Sequence, residues 1–242
     1  VTLSSTVDGA QSLDITGNAV FGGIVGTTAL TSLSVSGTTS LAANVTTSGT
    51  QSYTGAVTLT GSVVLSDTTV SFGSTVSGGG FNLTLTSSGA INLTLGDITG
   101  VGNFTKNGGG GVTIAGTLTT GGTQDWTDAV TLGGAVTLDG TTVTFGSTVD
   151  GAQSLDITGN AVFGGVVGST ALTSLSVSGT SAINTTGITT TGTQGYTGAV
   201  TLGANTTLTV STVTFGSTVD GAQSLDITGN AVFGGVVGST AL

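Results

Sequence analysis

Apolar and polar residues alternate in short stretches along the chain, and a glycine often follows each stretch. Leu13-Asp-Ile-Thr-Gly17 is typical, with a further apolar residue eight positions after the first. A period of two indicates a β-strand with one buried face, which places Leu13 and Ile15 inside and Asp14 and Thr16 outside. The glycine supplies the turn to the next strand. The pattern predicts an all-β protein of short strands.

The same pattern recurs with a long period. Ser5–Phe21 returns unchanged at Ser147–Phe163 and Ser217–Phe233, and a degraded copy starts at Ser74. Internal repeats of short strand units are the signature of solenoid architectures. The starts of the copies divide the chain into long repeats near 5–73, 74–146, 147–216 and 217–242, of which the last is partial.

Each long repeat divides into about three shorter units. In the first copy the strand pattern begins at Leu13, Leu33, Val57 and Leu83, which gives unit lengths of 20, 24 and 26 residues. One such unit buries too little apolar surface to offset its ordering entropy, so the units must stack. We therefore expect 1–242 to be one continuous parallel β-solenoid of about ten coils, with about 20–26 residues in each coil.

Composition excludes several classes of function. The chain has 45 Gly, no Pro, Cys, Met or His, and a net charge of −10. A single cation cannot neutralise a row of phosphates, so we expect no nucleic-acid partner. Without His or Cys, the usual zinc sites and His-based triads are excluded. We predict no catalytic, cofactor-binding or metal-binding residue, no enzymatic activity, and no membrane span in this segment, because no apolar run approaches ~20 residues.

The charged residues have structural interpretations. Asp8 precedes Gly9 in a turn dipeptide, and Asp14 is an outward strand residue, so we favour these roles over a catalytic carboxylate pair. Lys106 is the only cation of the chain. We expect it to be a solvated surface lysine.

Three aromatic residues share one repeat position. They are Tyr53, Trp126 and Tyr196, each preceded two positions earlier by a glutamine. We favour packing in the core or in a turn, because aromatic side chains usually bury area. A stripe that contacts a glycan is the alternative, and these three residues are its candidate contacts.

The repeats also resemble a known family. Segments such as Ser12-Leu-Asp-Ile-Thr-Gly-Asn18 and Leu33-Ser-Val-Ser-Gly-Thr-Thr39 resemble the degenerate repeats of filamentous-haemagglutinin-like and autotransporter adhesins, which are secreted proteins of Gram-negative bacteria. The resemblance covers the whole chain and is one of repeat style. It implies a right-handed parallel β-helix, export across the outer membrane, and a role in adhesion or surface structure.

Three functions compete at this point. The leading hypothesis is a structural or adhesive rod, extracellular or on the surface of a bacterium. It would belong to a longer self-similar fibre, associate end to end or laterally with its own kind, and reach a glycan or surface receptor. An ice- or crystal-binding solenoid with a Thr-rich face is the alternative. Such a face needs a regular array of outward threonines. The outward pairs here vary from Asp14/Thr16 to Thr58/Thr60, so the array is interrupted. A glycan-binding module is the second alternative.

Overall fold

The computed structural model describes residues 1–239, with the side chain of Leu95 excepted. It confirms the predicted fold class: the chain is a β-solenoid of stacked parallel coils, with about 12 turns where about ten were expected. The handedness stays a prediction. The chain has two compact units, of which unit 1 comprises Val1–Thr113 and Leu118–Gly122, and unit 2 comprises Ile114–Thr117 and Thr123–Leu242.

Most strands are short, because an inward apolar pair is soon followed by a turn. Unit 1 contains β1 (Thr2–Leu3), β2 (Ser12–Ile15), β3 (Ala19–Phe21), β4 (Val25–Leu30), β5 (Ser32–Val35), β6 (Thr39–Leu41), β7 (Val45–Thr47), β8 (Thr50–Tyr53), β9 (Val57–Leu59), β10 (Val63–Asp67), β11 (Thr69–Phe72), β12 (Val76–Ser77), β13 (Leu83–Ser87), β14 (Ile91–Thr94), a 3-10 turn (Leu95–Asp97), β15 (Ile98–Thr99) and β16 (Phe104–Asn107). The residues of β17 (Val112–Thr119) are divided between the units. Unit 2 contains β18 (Gln124–Trp126), β19 (Val130–Phe145), β20 (Val149–Asp150), β21 (Ser154–Phe163), β22 (Val167–Leu172), β23 (Ser174–Val177), β24 (Ser181–Ile183), β25 (Gly187–Thr190), β26 (Thr193–Tyr196), β27 (Val200–Leu202), β28 (Thr206–Phe215), β29 (Val219–Asp220) and β30 (Leu225–Phe233).

Unit 1 has three parallel faces that the chain visits in turn. Face A stacks β1, β3, β6, β9, β12 and β15, and face C stacks β2, β5, β8 and β11. Face B stacks β4, β7, β10, β13 and β16. Inward side chains form columns along each face, as Phe21, Leu41 and Leu59 do on face A. These side chains are at most 2% exposed, so the core runs down the middle of the coils.

Unit 2 repeats this plan on faces that we name D, E and F. Face D stacks β18, 143–145, 161–163, β24, β27 and β29. Face E stacks 130–131, β20, β22, β25, 206–209 and 225–228. Face F stacks 136–139, 154–157, β23, β26, 212–215 and 230–233. The longer strands β19, β21, β28 and β30 continue from one face to the next.

The predicted coil length was too long. Leu13 pairs with Leu33 as expected, but Leu33 pairs with Gln51, 18 residues further on, and not with Val57. The apolar template passed over β8 because its inward position holds a buried glutamine, which is fully enclosed. Because an inward residue of β8 is polar, the apolar template did not recognise this strand, and the number of coils was underestimated.

Identical sequences lie on different faces of unit 2. Ser147–Phe163 and Ser217–Phe233 are the same in sequence, yet 155–157 lie on face F and 225–227 on face E. The 70 residues between the copies pass through eleven successive face segments, one short of four complete coils. The second of these copies therefore returns one face behind the first.

Asparagine side chains tie neighbouring coils together at the turns. The Oδ1 atom of Asn18 accepts a hydrogen bond from the backbone N–H of Thr38 at 2.9 Å, and Asn160 does the same with Thr180. Asn44 accepts from the N–H of Val64 at 2.8 Å. Each amide satisfies a backbone donor one coil further on, which strand pairing leaves open at a turn.

Candidate functional site

The three candidate glycan contacts lie in the core. Tyr53 and Trp126 have no exposed surface, and Tyr196 is 1% exposed. Tyr196 stacks on Phe215 with ring centroids 5.5 Å apart, and Tyr53 stacks on Phe72 at 5.7 Å. A sugar cannot stack on an enclosed ring, so these residues provide no glycan-contacting stripe. Their position agrees with core packing.

A buried glutamine accompanies each tyrosine and was missed from the sequence. Gln194 Nε2 donates to the carbonyl oxygens of Ile188 at 3.1 Å and Thr209 at 3.3 Å, while its Oε1 accepts from Tyr196 Oη at 3.1 Å. Gln51 and Tyr53 repeat the arrangement in unit 1. The side chain thus joins two coils from inside. The available signal was the recurring Thr-Gln-x-aromatic sequence.

We expect Gln194→Ala to destabilise unit 2 by about 2–4 kcal/mol, because it leaves buried carbonyls and a buried hydroxyl without partners and opens a cavity. Gln153→Ala, at a half-buried glutamine of the same unit, should cost no more than about 0.5 kcal/mol. The fluorescence of Trp126, the only tryptophan, reports urea unfolding of unit 2 directly. Equal midpoints for the two variants would contradict the structural role of Gln194.

Two aspartates, the exposed Asp8 and the half-buried Asp150, each hold a surface loop. In β4, four residues lie between Val25 and Leu30, where the next coil has one residue between their partners. Asp8 of the preceding coil holds this loop, because its carboxylate accepts from Thr27 Oγ1 at 2.5 Å and from the Thr28 N–H at 2.9 Å. The extra residues therefore have a fixed conformation.

The same loop occurs in β22 of unit 2. Four residues lie between Val167 and Leu172, where the next coil again has one residue between their partners. Asp150 Oδ1 accepts from the Thr170 N–H at 2.9 Å. Asp8 and Asp150 thus support a loop of the next coil, 20 residues further on in the sequence, and not only the local Asp-Gly turn that was expected.

The hydrogen bonds to Asp8 also lower the pKa of its carboxyl. The largest cause is the Thr27 hydroxyl, followed by the Thr28 N–H. Because the folded pKa lies below the unfolded value, this contribution to stability is present above about pH 4 and is lost as the pH falls. Asp14 is exposed on face C, so neither carboxylate lies in an enclosed site.

Lys106 is buried, and the expectation of a solvated lysine was wrong. Its side chain has no exposed surface. Nζ donates to the carbonyl oxygens of Ser87 at 3.3 Å, Asn107 at 2.9 Å and Gly110 at 2.8 Å. The glycine run that follows Lys106 supplies one of these carbonyls, that of Gly110. The ammonium therefore binds three backbone acceptors inside unit 1.

Two depressions lie on the surface of unit 1. One is a small cavity lined by Phe72, Val76, Leu93, Asp97 and neighbouring residues. The other is a shallow open groove lined by glycines 80, 100, 102, 121 and 122 with Val101, Asn82 and Asn103. Among the residues that line them, Asp97 is the one ionisable side chain.

Within residues 1–239, no group of three or more His, Cys, Asp or Glu side chains is arranged to hold a metal ion. No helix in that part of the chain is long and apolar enough to cross a membrane. Comparison with protein-family models, curated proteins and solved structures gives no match.

Proposed function

We propose that this chain is a segment of an extracellular structural or adhesive rod on a bacterial surface. The observation that carries the proposal is the displacement by one face between the two identical copies of unit 2. Asp156 lies on face F of unit 2, and its sequence equivalent Asp226 lies on face E. Because equivalent residues of the two copies lie on different faces, the repeat does not build one continuous binding surface. It adds length and stiffness, as a stalk requires.

The alternative of an ice- or crystal-binding face is less well supported. Such a face needs the same small polar side chains in one plane on successive coils. The outward column of face B instead reads Thr46, Ser66, Thr86 and Asn107. The face displacement would also turn any Thr-rich patch away from the plane at the next long repeat.

Association into a fibre belongs to the same proposal. Each coil presents a row of backbone donors and acceptors along the axis, and a further parallel coil satisfies them. Copies can therefore add end to end by the pairing that already joins coils within each unit. A glycan or surface receptor would then be bound elsewhere along the fibre.

Duplication of 147–216 distinguishes a stalk from a one-sided binding surface. One extra copy after residue 216 moves everything that follows by one face, whereas three extra copies restore the original face. A stalk tolerates both insertions, with surface display in the native host and circular dichroism per residue unchanged. If an activity such as thermal hysteresis survived the insertion of three extra copies but was abolished by one extra copy, the protein would instead bind through a surface on one side.

Location is tested separately on intact cells of the native host. We expect antibodies against the exposed loop 26–29 to label unpermeabilised cells, and external protease to remove the signal. Negative-stain images of the full-length protein should show filaments. Labelling only after permeabilisation, or discrete short particles, would contradict the proposal.

A further inference from the structure

Three polar side chains meet inside unit 1 on face B. Asp67 ends β10, Ser87 ends β13 and pairs with Asp67 in the ladder, and Lys106 lies on β16, the next strand of the same face. Each belongs to a different coil, and the three coils are consecutive. Asp67 is 7% exposed, while Ser87 and Lys106 are fully enclosed. The remaining inward residues of these strands are apolar.

The hydrogen bonds satisfy this cluster only in part. Ser87 Oγ donates to Asp67 Oδ1 at 2.6 Å. The other carboxylate oxygen, Oδ2, is buried and has no hydrogen-bond partner. The ammonium of Lys106 binds backbone carbonyls, one of which belongs to Ser87. The carboxylate thus has one bonded oxygen and one desolvated oxygen, with the cation attracting it through space.

We propose that Asp67, Ser87 and Lys106 form an acid-strengthened latch across three consecutive coils of unit 1. An ionised Asp67 leaves a desolvated oxygen in the core, and such a charge is unfavourable unless fully paired. Protonation removes the charge and leaves the link to Ser87 and the carbonyl shell of Lys106 in place. The coils therefore hold together more firmly in acid than at neutral pH.

The direction of the effect follows from the ionisation equilibrium. Burial raises the pKa of Asp67 to about 6, against the opposing effects of the Ser87 hydroxyl and the Lys106 charge. Because the folded pKa exceeds the ordinary value of 3.8, the folded state binds the proton more tightly than the unfolded state. This contribution to stability is complete below about pH 4 and is lost as the pH rises through about 6.

Few other ionisable groups face the latch. Lys106 is the only charged residue of β13 and β16, and β7 contains none. Tyr53 on β8 is buried, and its pKa is raised, first by burial and then by the charge of Asp67. It stays neutral over the range in which Asp67 titrates, so the carboxyl is the group that changes.

Hydrogen exchange measured by mass spectrometry tests the latch on the intact chain. Protection is compared between pH 4.5 and 7.5 after correction for intrinsic exchange rates. Peptides covering 63–72 and 83–88 should gain on the order of tenfold protection at the lower pH. Peptides covering β23 and β26 serve as internal controls, because these strands contain no carboxylate. An equal gain in the controls would overturn the proposal.

Two variants separate the latch from a general effect of acid. Asp67→Asn keeps an oxygen for Ser87 and cannot ionise, so its peptides should show no pH-dependent step. Ser87→Ala removes a donor that favours the ionised form, so the midpoint should move to higher pH. A step that persists in Asp67→Asn, or a midpoint that moves to lower pH in Ser87→Ala, would refute the assignment.

Discussion

Gly159→Ala should destabilise the coils around it by about 3–5 kcal/mol. Gly159 has a φ of +120°, which an alanine adopts only with strain. A Cβ at this position would also overlap the carbonyl oxygen of Gly140 in the neighbouring coil. Since that carbonyl belongs to the backbone, the coils must move apart. Hydrogen exchange of peptides covering 136–163 should show the loss of protection.

Gly17→Ala is the matched control for this prediction. Gly17 occupies the same position in an identical stretch of sequence and has a φ of +110°. A Cβ added there meets no atom within 4 Å. The variant should therefore cost only the backbone strain, about 1–2 kcal/mol. Similar losses of protection around the two positions would mean that contact between coils is not what requires the glycine.

Lys106→Ala should destabilise unit 1 by about 3–5 kcal/mol at pH 7.5, the range for breaking a buried charged interaction. The truncation leaves the carbonyls of Ser87, Asn107 and Gly110 without this donor, removes the cation that faces ionised Asp67, and opens a cavity. Urea unfolding followed by circular dichroism gives the stability of the chain, and exchange of peptides covering 83–107 locates the loss.

Lys106→Met separates volume from charge in this prediction. Methionine fills most of the space, so its smaller effect isolates the lost hydrogen bonds and the lost cation. In an Asp67→Asn background the cost of Lys106→Met should fall by about 1 kcal/mol, because no buried anion remains. An additive double variant would show that Lys106 acts only on its carbonyls and not on Asp67.

The sequence allowed the fold class to be predicted, because alternation and glycine spacing are local properties. Leu13 and Leu33 were expected to be equivalent, and they pair in the structure. Ile15 is buried and Asp14 is exposed, as the strand period required. The residues that a strand buries in the core can therefore be inferred from the sequence wherever those residues are apolar.

Buried polar residues account for the errors. Gln51 lies inward because two coils supply acceptors for its amide, and Lys106 lies inward because a glycine run brings a carbonyl to its ammonium. Those acceptors come from residues as far as 19 positions away in the sequence. A local pattern of polarity does not reveal these acceptors, so Lys106 was expected at the surface and the inward position of Gln51 was missed.

The displacement of identical segments by one face constrains how the chain can fold. Residues 147–163 and 217–233 are chemically the same, so neither copy encodes the face on which it belongs. A chain that stacked one third of a turn out of step would still bury leucine, isoleucine and phenylalanine. Each new coil must then take its alignment from the coils that have already folded. Folding that grows from one nucleus therefore determines the face on which every later segment lies. The buried Asp67, near the end of the first long repeat, and the buried Lys106, in the second, mark positions that the identical copies do not, and they distinguish the correct stacking from a shifted one.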